Sequence, residues 1–315
     1  MRALLPTAMA LLPAALALAS AAGAPARPAA AKPNIVWFVT DDQDQMLGGS
    51  FPQHGGVGPM PQTKRLMEEG GAMALNFFIH TPICCPSRSE LLTGMYFHNI
   101  KADPTAPGQP RNASCMHTDD LKVQDNTFAK YLAPAGYKVG MFGKYLNAWN
   151  FAVVPEGFDA WLANGGGDYF GPAWVTKNAG VGIPDVSYKF PLVNYTTSVV
   201  GNLSIAYIRK IVGSAEAGAA HPPFFAYIAP KAAHEPFNPA PWYADHWDSS
   251  WPEHEPRPVS YNCSAESRAD HHGNIATEDM MTAQEAEVVT GIFKNRESVT
   301  ECCSIRLGCD CAATL

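Results

Sequence analysis

Two adjacent cysteines, a proline and an arginine, Cys84-Cys85-Pro86-Ser87-Arg88, are the most chemically pointed stretch of this 315-residue chain. Zinc sites and thioredoxin-like redox pairs space their cysteines by two residues, and that spacing is absent here. A cysteine phosphatase needs a longer loop between nucleophile and arginine. Taken alone, the pair reads as two structural cysteines, or as one disulfide partner beside a buried thiol. The following residues widen the choice. Pro86 suits the first position of a helix, Ser87 to Leu92 can continue it, and Gly94 suits its stop. Cys84 then lies just before a helix N-terminus, where backbone N–H groups favour an anion. Arg88 adds a charged fork within one turn.

Other reactive types follow apolar runs. Asp41 and Asp42 close the run Asn34 to Val39. Paired carboxylates are hard oxygen ligands that suit Ca²⁺ or Mg²⁺. Neighbouring strand residues point to opposite faces, so both reach one ion only if the chain turns there. The alternative is a solvated acidic loop. Lys144, after Gly143, closes a second run, and His234 sits in a polar loop after a third. A histidine there can bind an anion or pass a proton, or simply cap a turn. Lys231 and Asp44 read as surface residues.

These residues need elements to hold them. Asn34 to Val39, Tyr137 to Phe142 and Phe224 to Ala229 are rich in β-branched and aromatic residues, as expected of strands buried on both faces. Residues 126–136 predict a short helix with Phe128 and Leu132 on one face, ended by Pro134 and Gly136. Residues 195–213 carry Val199, Leu203, Ala206, Tyr207 and Ile211 at helical spacing, and a further helix is expected at about 278–296. Alternating strands and helices imply an α/β fold: a mostly parallel central sheet flanked by helices. Ligands collect at the carboxyl ends of such strands, so the reactive residues are expected to share one site.

Apolar residues make up 47% of the chain and charged ones 16%, which supports a sizeable core. Lys and Arg number 22 against 29 Asp and Glu, and no basic run appears, which argues against nucleic acid as partner. The opening MRALLPTAMALLPAALALASAAGA has a short basic start, an apolar run and small-residue cleavage sites. It reads as a signal peptide over residues 1–24, followed by an Ala-Pro linker at 25–33. No later run is long enough to span a bilayer. Glycosylation triplets at Asn112, Asn194, Asn202 and Asn262 agree with export. Eight cysteines could pair in an oxidising compartment.

Cys84-Cys85-Pro86-Ser87-Arg88, continued by Leu91-Leu92-Thr93-Gly94, resembles the signature of the type I sulfatases. KPNIVWFVTDDQD, FGKYLN, PEGFDAW, YTTSVV and PFFAYIAPKAAHEPF resemble, in order, the arylsulfatase and N-acetylglucosamine-6-sulfatase branch. The resemblance covers residues 32 to about 296 and implies the alkaline-phosphatase-like fold, with a catalytic portion at 34–296.

It also implies a chemistry. The first cysteine of the signature, here Cys84, is oxidised to formylglycine by a formylglycine-generating enzyme. The hydrated aldehyde attacks the sulfur of a sulfate ester with one hydroxyl and expels sulfate with the other. By the same resemblance, Asp41, Asp42 and position 84 hold Ca²⁺ in preference to Mg²⁺. Arg88 holds the diol and nearby carboxylates, Lys144 contacts sulfate, and His234 lies near the ester oxygen. Many members carry histidine two residues after the lysine. Leu146 stands there, and Asn147 is the candidate for part of its polar role. The implied substrates are sulfated sugars or aryl sulfates, met in a secreted or lysosomal setting.

Some family features are expected but unmatched. A second pair of metal ligands and a second sulfate-binding lysine should come from a later part. Asp270-His271-His272-Gly273 reads instead as a polar loop. Residues 297–315 lose apolar periodicity and concentrate Cys302, Cys303, Cys309 and Cys311, an atypical tail expected of a truncated family member, so that the fold is expected to be incomplete. Two rivals remain at this point: a phosphoesterase of the same fold, and a non-catalytic secreted glycoprotein.

Overall fold

Apolar runs that alternate side chains between two faces must be covered on both, and among the described residues they build a six-stranded sheet. The strands are β1 (Ile35–Phe38), β2 (Lys138–Lys144), β3 (Ala160–Asn164), β4 (Ala173–Lys177), β5 (Val186–Lys189) and β6 (Phe224–Ala229), ordered β1-β6-β2-β3-β4-β5. β1, β6, β2 and β3 run parallel, while β3–β4 and β4–β5 are antiparallel. The computed structural model describes residues 32–43, 77–100, 120–147, 153–214, 220–243 and 264–269, with a few isolated positions beyond them.

Helices cover both faces. On one, α1 (Cys84–Thr93) and α2 (Phe128–Leu132) pack Cys85, Leu92 and Ala129 against Val139, Met141, Trp161, Phe225 and Tyr227. On the other, α3 (Thr196–Gly213) packs Val199, Val200, Leu203 and Ile211 against Phe142, Leu162, Trp174, Ala226 and Ile228. Consecutive β2 residues, Met141 and Phe142, thus serve opposite cores, as a period of two requires. Phe128 and Leu132 pack on the first core, as expected.

The structure corrects several expectations. β1 was expected to be buried on both faces. It is the sheet edge, with Val36 50% and Trp37 37% exposed, because among the described residues only β6 flanks it. α1 begins at Cys84, not at Pro86: Ser87 N donates to Ile83 O at 3.0 Å, and a proline is tolerated throughout a first turn, whose donors have no helical acceptor. Gly94 does end it, with φ 68° and its N donating to Glu90 O at 2.7 Å. β2 runs on through Lys144, and Ala206 faces solvent on α3. β3 and the β4–β5 hairpin were not expected from the sequence. The leader, Asn112, Asn262, Asp270 to Gly273, most of the segment at 278–296 and the tail lie outside the described residues. Among the described residues, no helix is long and apolar enough to cross a membrane.

Candidate active site

Parallel strands aim their carboxyl ends the same way, and the loops leaving them converge. Asp41 and Asp42 follow β1, Lys144 ends β2, and His234 follows β6. Cys84 and Arg88 arrive on the first turn and a half of α1. The β1 and β6 loops are stitched together by Asp41 N donating to Ala232 O at 3.0 Å.

Asp41 is the hub, with 3% of its surface exposed. Its Oδ1 accepts from Arg88 Nη2 at 3.1 Å and its Oδ2 from Lys144 Nζ at 2.5 Å. Arg88 Nη1 also donates to Lys144 O at 2.8 Å, so one guanidinium ties α1 to both strand ends. Lys144 Nζ reaches Cys84 Sγ at 3.3 Å. His234 Nδ1 donates to Glu235 O at 2.7 Å, which turns Nε2 toward the site, 3.6 Å from Asp42 Oδ2. Donor atoms of Asp41, Cys84 and His234 all lie within 4.8 Å of one another.

The electrostatics follow from these contacts. Burial pushes the Asp41 carboxyl up, but Arg88 and Lys144 together hold it below its ordinary value. The His234 hydrogen bond lowers the Cys84 thiol against the opposing effect of burial, and Lys144 assists. Reciprocally, Cys84 raises His234 despite partial burial, with the Glu235 carbonyl adding to the effect. Burial opposes the charge of Arg88, yet Tyr227 and Asp41 keep its pKa raised. The result is an anionic hub ringed by cations, opening on a half-buried sulfur. Such a ring can stabilise negative charge that develops near position 84.

All four residues expected to do chemistry, Cys84, Arg88, Lys144 and His234, meet here, with Asp41 among them. Asp42 differs. Its side chain is 56% exposed, and it reaches the site only through the positive φ of 53° that turns the chain after Asp41. That turn is the condition under which both carboxylates can serve one ion. Cys85 departs in character from Cys84: it is fully buried and disulfide-bonded, while Cys84 is free. Asn147 N donates to Cys85 Sγ at 3.1 Å, so Asn147 supports the cysteine pair from behind, and Leu146 is fully buried.

Sequence reasoning missed Lys231. Expected at the surface, it is only 8% exposed; its Nζ donates to Gly167 O at 2.5 Å and lies 5.2 Å from the Tyr169 ring centre. Its nearness to His234 in the sequence was the available signal. Tyr227, buried beneath Arg88, and Tyr169 had no signal of their own. Of the glycosylation triplets, Asn194 and Asn202 are described, and both are half-buried.

The donor set fits a divalent cation. Asp41 and Asp42 offer hard oxygens on one turn, and the Lys144 ammonium at 2.5 Å already marks Asp41 Oδ2 as a cation-binding atom. An oxygen function at position 84 would add a third hard donor in place of sulfur.

Comparison with known proteins agrees with this arrangement. The family model described as Sulfatase matches residues 33–279. The chain is 32% identical over 215 residues to an extracellular sulfatase SULF-1 homolog of Drosophila melanogaster, covering 68% of this chain and 17% of that protein. It is 31% identical over 221 residues to the N-acetylglucosamine-6-sulfatase of Homo sapiens, covering 67% and 36% respectively. The chain therefore spans about a sixth to a third of the length of these relatives. Among solved structures, a protein in complex with its substrate D-glucosamine-2-N,6-O-disulfate superposes with a TM-score of 0.54 at 19% identity, over 86% of this chain and 60% of that one. The fold is the alkaline-phosphatase-like α/β fold of that neighbour. From the signature on α1 to the histidine after β6, the chain belongs to the sulfatase family.

Proposed function

We propose that this chain carries the nucleophile and sulfate-binding side of a sulfuric ester hydrolase, with Cys84 as the residue converted to formylglycine. The observation that supports it best is the convergence of Cys84, Arg88, Lys144 and His234 on one buried carboxylate, Asp41. The D-glucosamine-2-N,6-O-disulfate complex of the structural neighbour and the N-acetylglucosamine-6-sulfatase relatives favour a sulfated sugar over an aryl sulfate.

An aldehyde at position 84 supplies, once hydrated, one hydroxyl that attacks sulfur and a second that loses its proton as sulfate departs. A divalent cation held by Asp41 and Asp42, Ca²⁺ in preference to Mg²⁺, would polarise oxygens bound to it. The chain's own residues do the rest. Lys144 Nζ, 3.3 Å from the Cys84 side-chain tip, neutralises sulfate oxygens as charge builds on them. His234, whose Nδ1 donates to Glu235 O and so leaves Nε2 facing the site, is placed to give a proton to the departing alcohol oxygen as the S–O bond breaks. Arg88 takes no part in proton transfer; it fixes Asp41 and the end of β2. Maturation then requires a formylglycine-generating enzyme, and the leader and glycosylation triplets favour a secreted or lysosomal protein.

The test is expression of the full chain in a secretory host that supplies the oxidising enzyme. Peptide mass spectrometry over residues 81–95 reads conversion, and release of sulfate from glucosamine 6-sulfate and 4-nitrophenyl sulfate reads activity. Cys84→Ala is expected to lower kcat by roughly a thousandfold or more. A folded, fully converted chain that releases no sulfate in the presence of Ca²⁺ would contradict the proposal, and preferential cleavage of 4-nitrophenyl phosphate would favour a phosphoesterase.

A further inference from the structure

The loop that carries His234 is gripped from behind by groups that touch no reacting atom. Tyr169, 1% exposed, donates its hydroxyl to His234 O at 2.5 Å. Tyr195, also 1% exposed, stacks on Tyr169 with centroids 5.6 Å apart and planes 11° apart, and donates to Asn238 O at 3.0 Å. Two tyrosines side by side therefore hold both ends of the segment from His234 to Asn238. Beneath them Ala232, Ala233 and Ala240 complete a small buried cluster. Lys231 closes the clasp from the opposite direction: its backbone belongs to the His234 loop, while its Nζ binds Gly167 O in the loop between β3 and β4. That second loop also meets Lys144. Gly166 N donates to Asn164 Oδ1 at 2.9 Å, and a Cβ on Gly166 would stand 3.3 Å from Lys144 Cε.

We propose that Tyr169 and Lys231 are positioning residues that set His234 and Lys144 against Cys84 through the loop at 164–169. Each reaches the site through the backbone of another residue. The His234 carbonyl keeps a second partner, Phe237 N at 3.3 Å, so removing the Tyr169 hydroxyl leaves no orphaned acceptor. The consequence is a displaced imidazole rather than an unfolded loop. The catalytic part of the claim rests on the sulfatase reading; the geometric part does not.

The test uses the full chain in two forms. In the unoxidised form, peptide mass spectrometry follows alkylation of Cys84 by iodoacetamide at neutral pH, beside the melting temperature. Tyr169→Phe and Lys231→Met are each expected to slow alkylation by about three- to tenfold, toward the rate of His234→Ala, because His234 and Lys144, whose Nζ lies 3.3 Å from the Cys84 sulfur, have moved off it. Lys231→Arg, which can still donate to Gly167 O, is expected to restore the rate. In the oxidised form, both variants are expected to lower kcat and leave KM within about twofold, the pattern of a group that acts only in the transition state. Should Tyr169→Phe fail to fold, Lys231→Met decides. Alkylation and kcat unchanged in both variants, while His234→Ala is slow, would overturn the clasp and leave the sulfatase reading intact. Slowed alkylation in a chain that cleaves no sulfate ester after oxidation would support the clasp and count against the sulfatase reading.

Discussion

At the scale of single residues, burial pushes the Asp41 carboxyl up, but it is held below its ordinary pKa because Arg88 and Lys144 each take one of its oxygens. Removing Arg88 takes a donor from both Asp41 Oδ1 and Lys144 O, while Lys144 still pairs with the carboxylate. Arg88→Ala is therefore expected to cost about 1–3 kcal/mol in urea denaturation. Arg88→Lys should recover only part of this, since a single ammonium cannot span Asp41 Oδ1 and Lys144 O as the guanidinium fork does. The depressed pKa of Asp41 also has a sign. Its ionised form contributes stability that is fully present above the unfolded carboxyl value of about 3.9 and is lost as pH falls through the lower folded value. Melting temperatures followed from pH 6 downward should drop steeply below about pH 4, and Asp41→Asn should flatten that limb while lowering its plateau.

At the scale of elements, the end of β2 decides where Lys144 points. Gly143 has φ 119° and lies against β6, where an added Cβ would stand 2.0 Å from Ala229 O. A side chain there meets both backbone strain and a backbone oxygen that cannot move without breaking the β2–β6 register. Gly143→Ala is expected to destabilise the chain by about 2–4 kcal/mol in the same denaturation assay. Sulfate release should fall by more than the unfolded fraction accounts for, since Lys144 is displaced together with the strand end. α1 illustrates the complementary case. Its start is set by no side-chain cap, and its register is held by Arg88 reaching across to the sheet, so the signature places Cys84 through tertiary contacts as much as through helix propensity.

At the scale of the whole molecule, the fold built on the sheet brings groups from distant parts of the sequence to one place, position 84 lying 43 residues from Asp41. A cation held, as proposed, by Asp41, Asp42 and position 84 would bind the folded chain and not the unfolded one. Ca²⁺ at a hundred times its Kd is therefore expected to raise stability by about 2.7 kcal/mol. Thermal shift with added Ca²⁺, reversed by EDTA, reads this, and Asp42→Asn should abolish most of the shift, because the proposed site loses one of its two carboxylates; Asp42 is half exposed and approaches only His234 among the contacts of the described residues, at 3.6 Å. The same sheet leaves β1 at its edge, with Val36 and Trp37 reaching solvent although their residue types suit a core.

What the sequence determined by itself is local or carried in one contiguous motif. The apolar runs specify β2 and β6, because a strand buried on both faces needs nothing but apolar residues, and they mark β1 as a strand without giving its exposed position at the edge. The pattern of Val199, Leu203 and Ile211 specifies the inner face of α3, and Gly94 the end of α1. The Cys84 to Gly94 signature carries Cys84 and Arg88, while Asp41, Lys144 and His234 were read from separate stretches that close apolar runs. Tertiary structure decided the rest. It separated Cys84 from Cys85, identical in type and adjacent in sequence, by making one free and the other disulfide-bonded. It moved Trp37 to an edge and Lys231 into the interior, because exposure depends on which strand or loop lies alongside, and that partner is remote in sequence. The β4–β5 hairpin, with its mixed polar and apolar residues, carries too weak a period to be read alone and is set by pairing on β3. The lowered pKa of Asp41 likewise belongs to the folded chain alone, since the two cations that hold it down against burial arrive from α1 and from the end of β2.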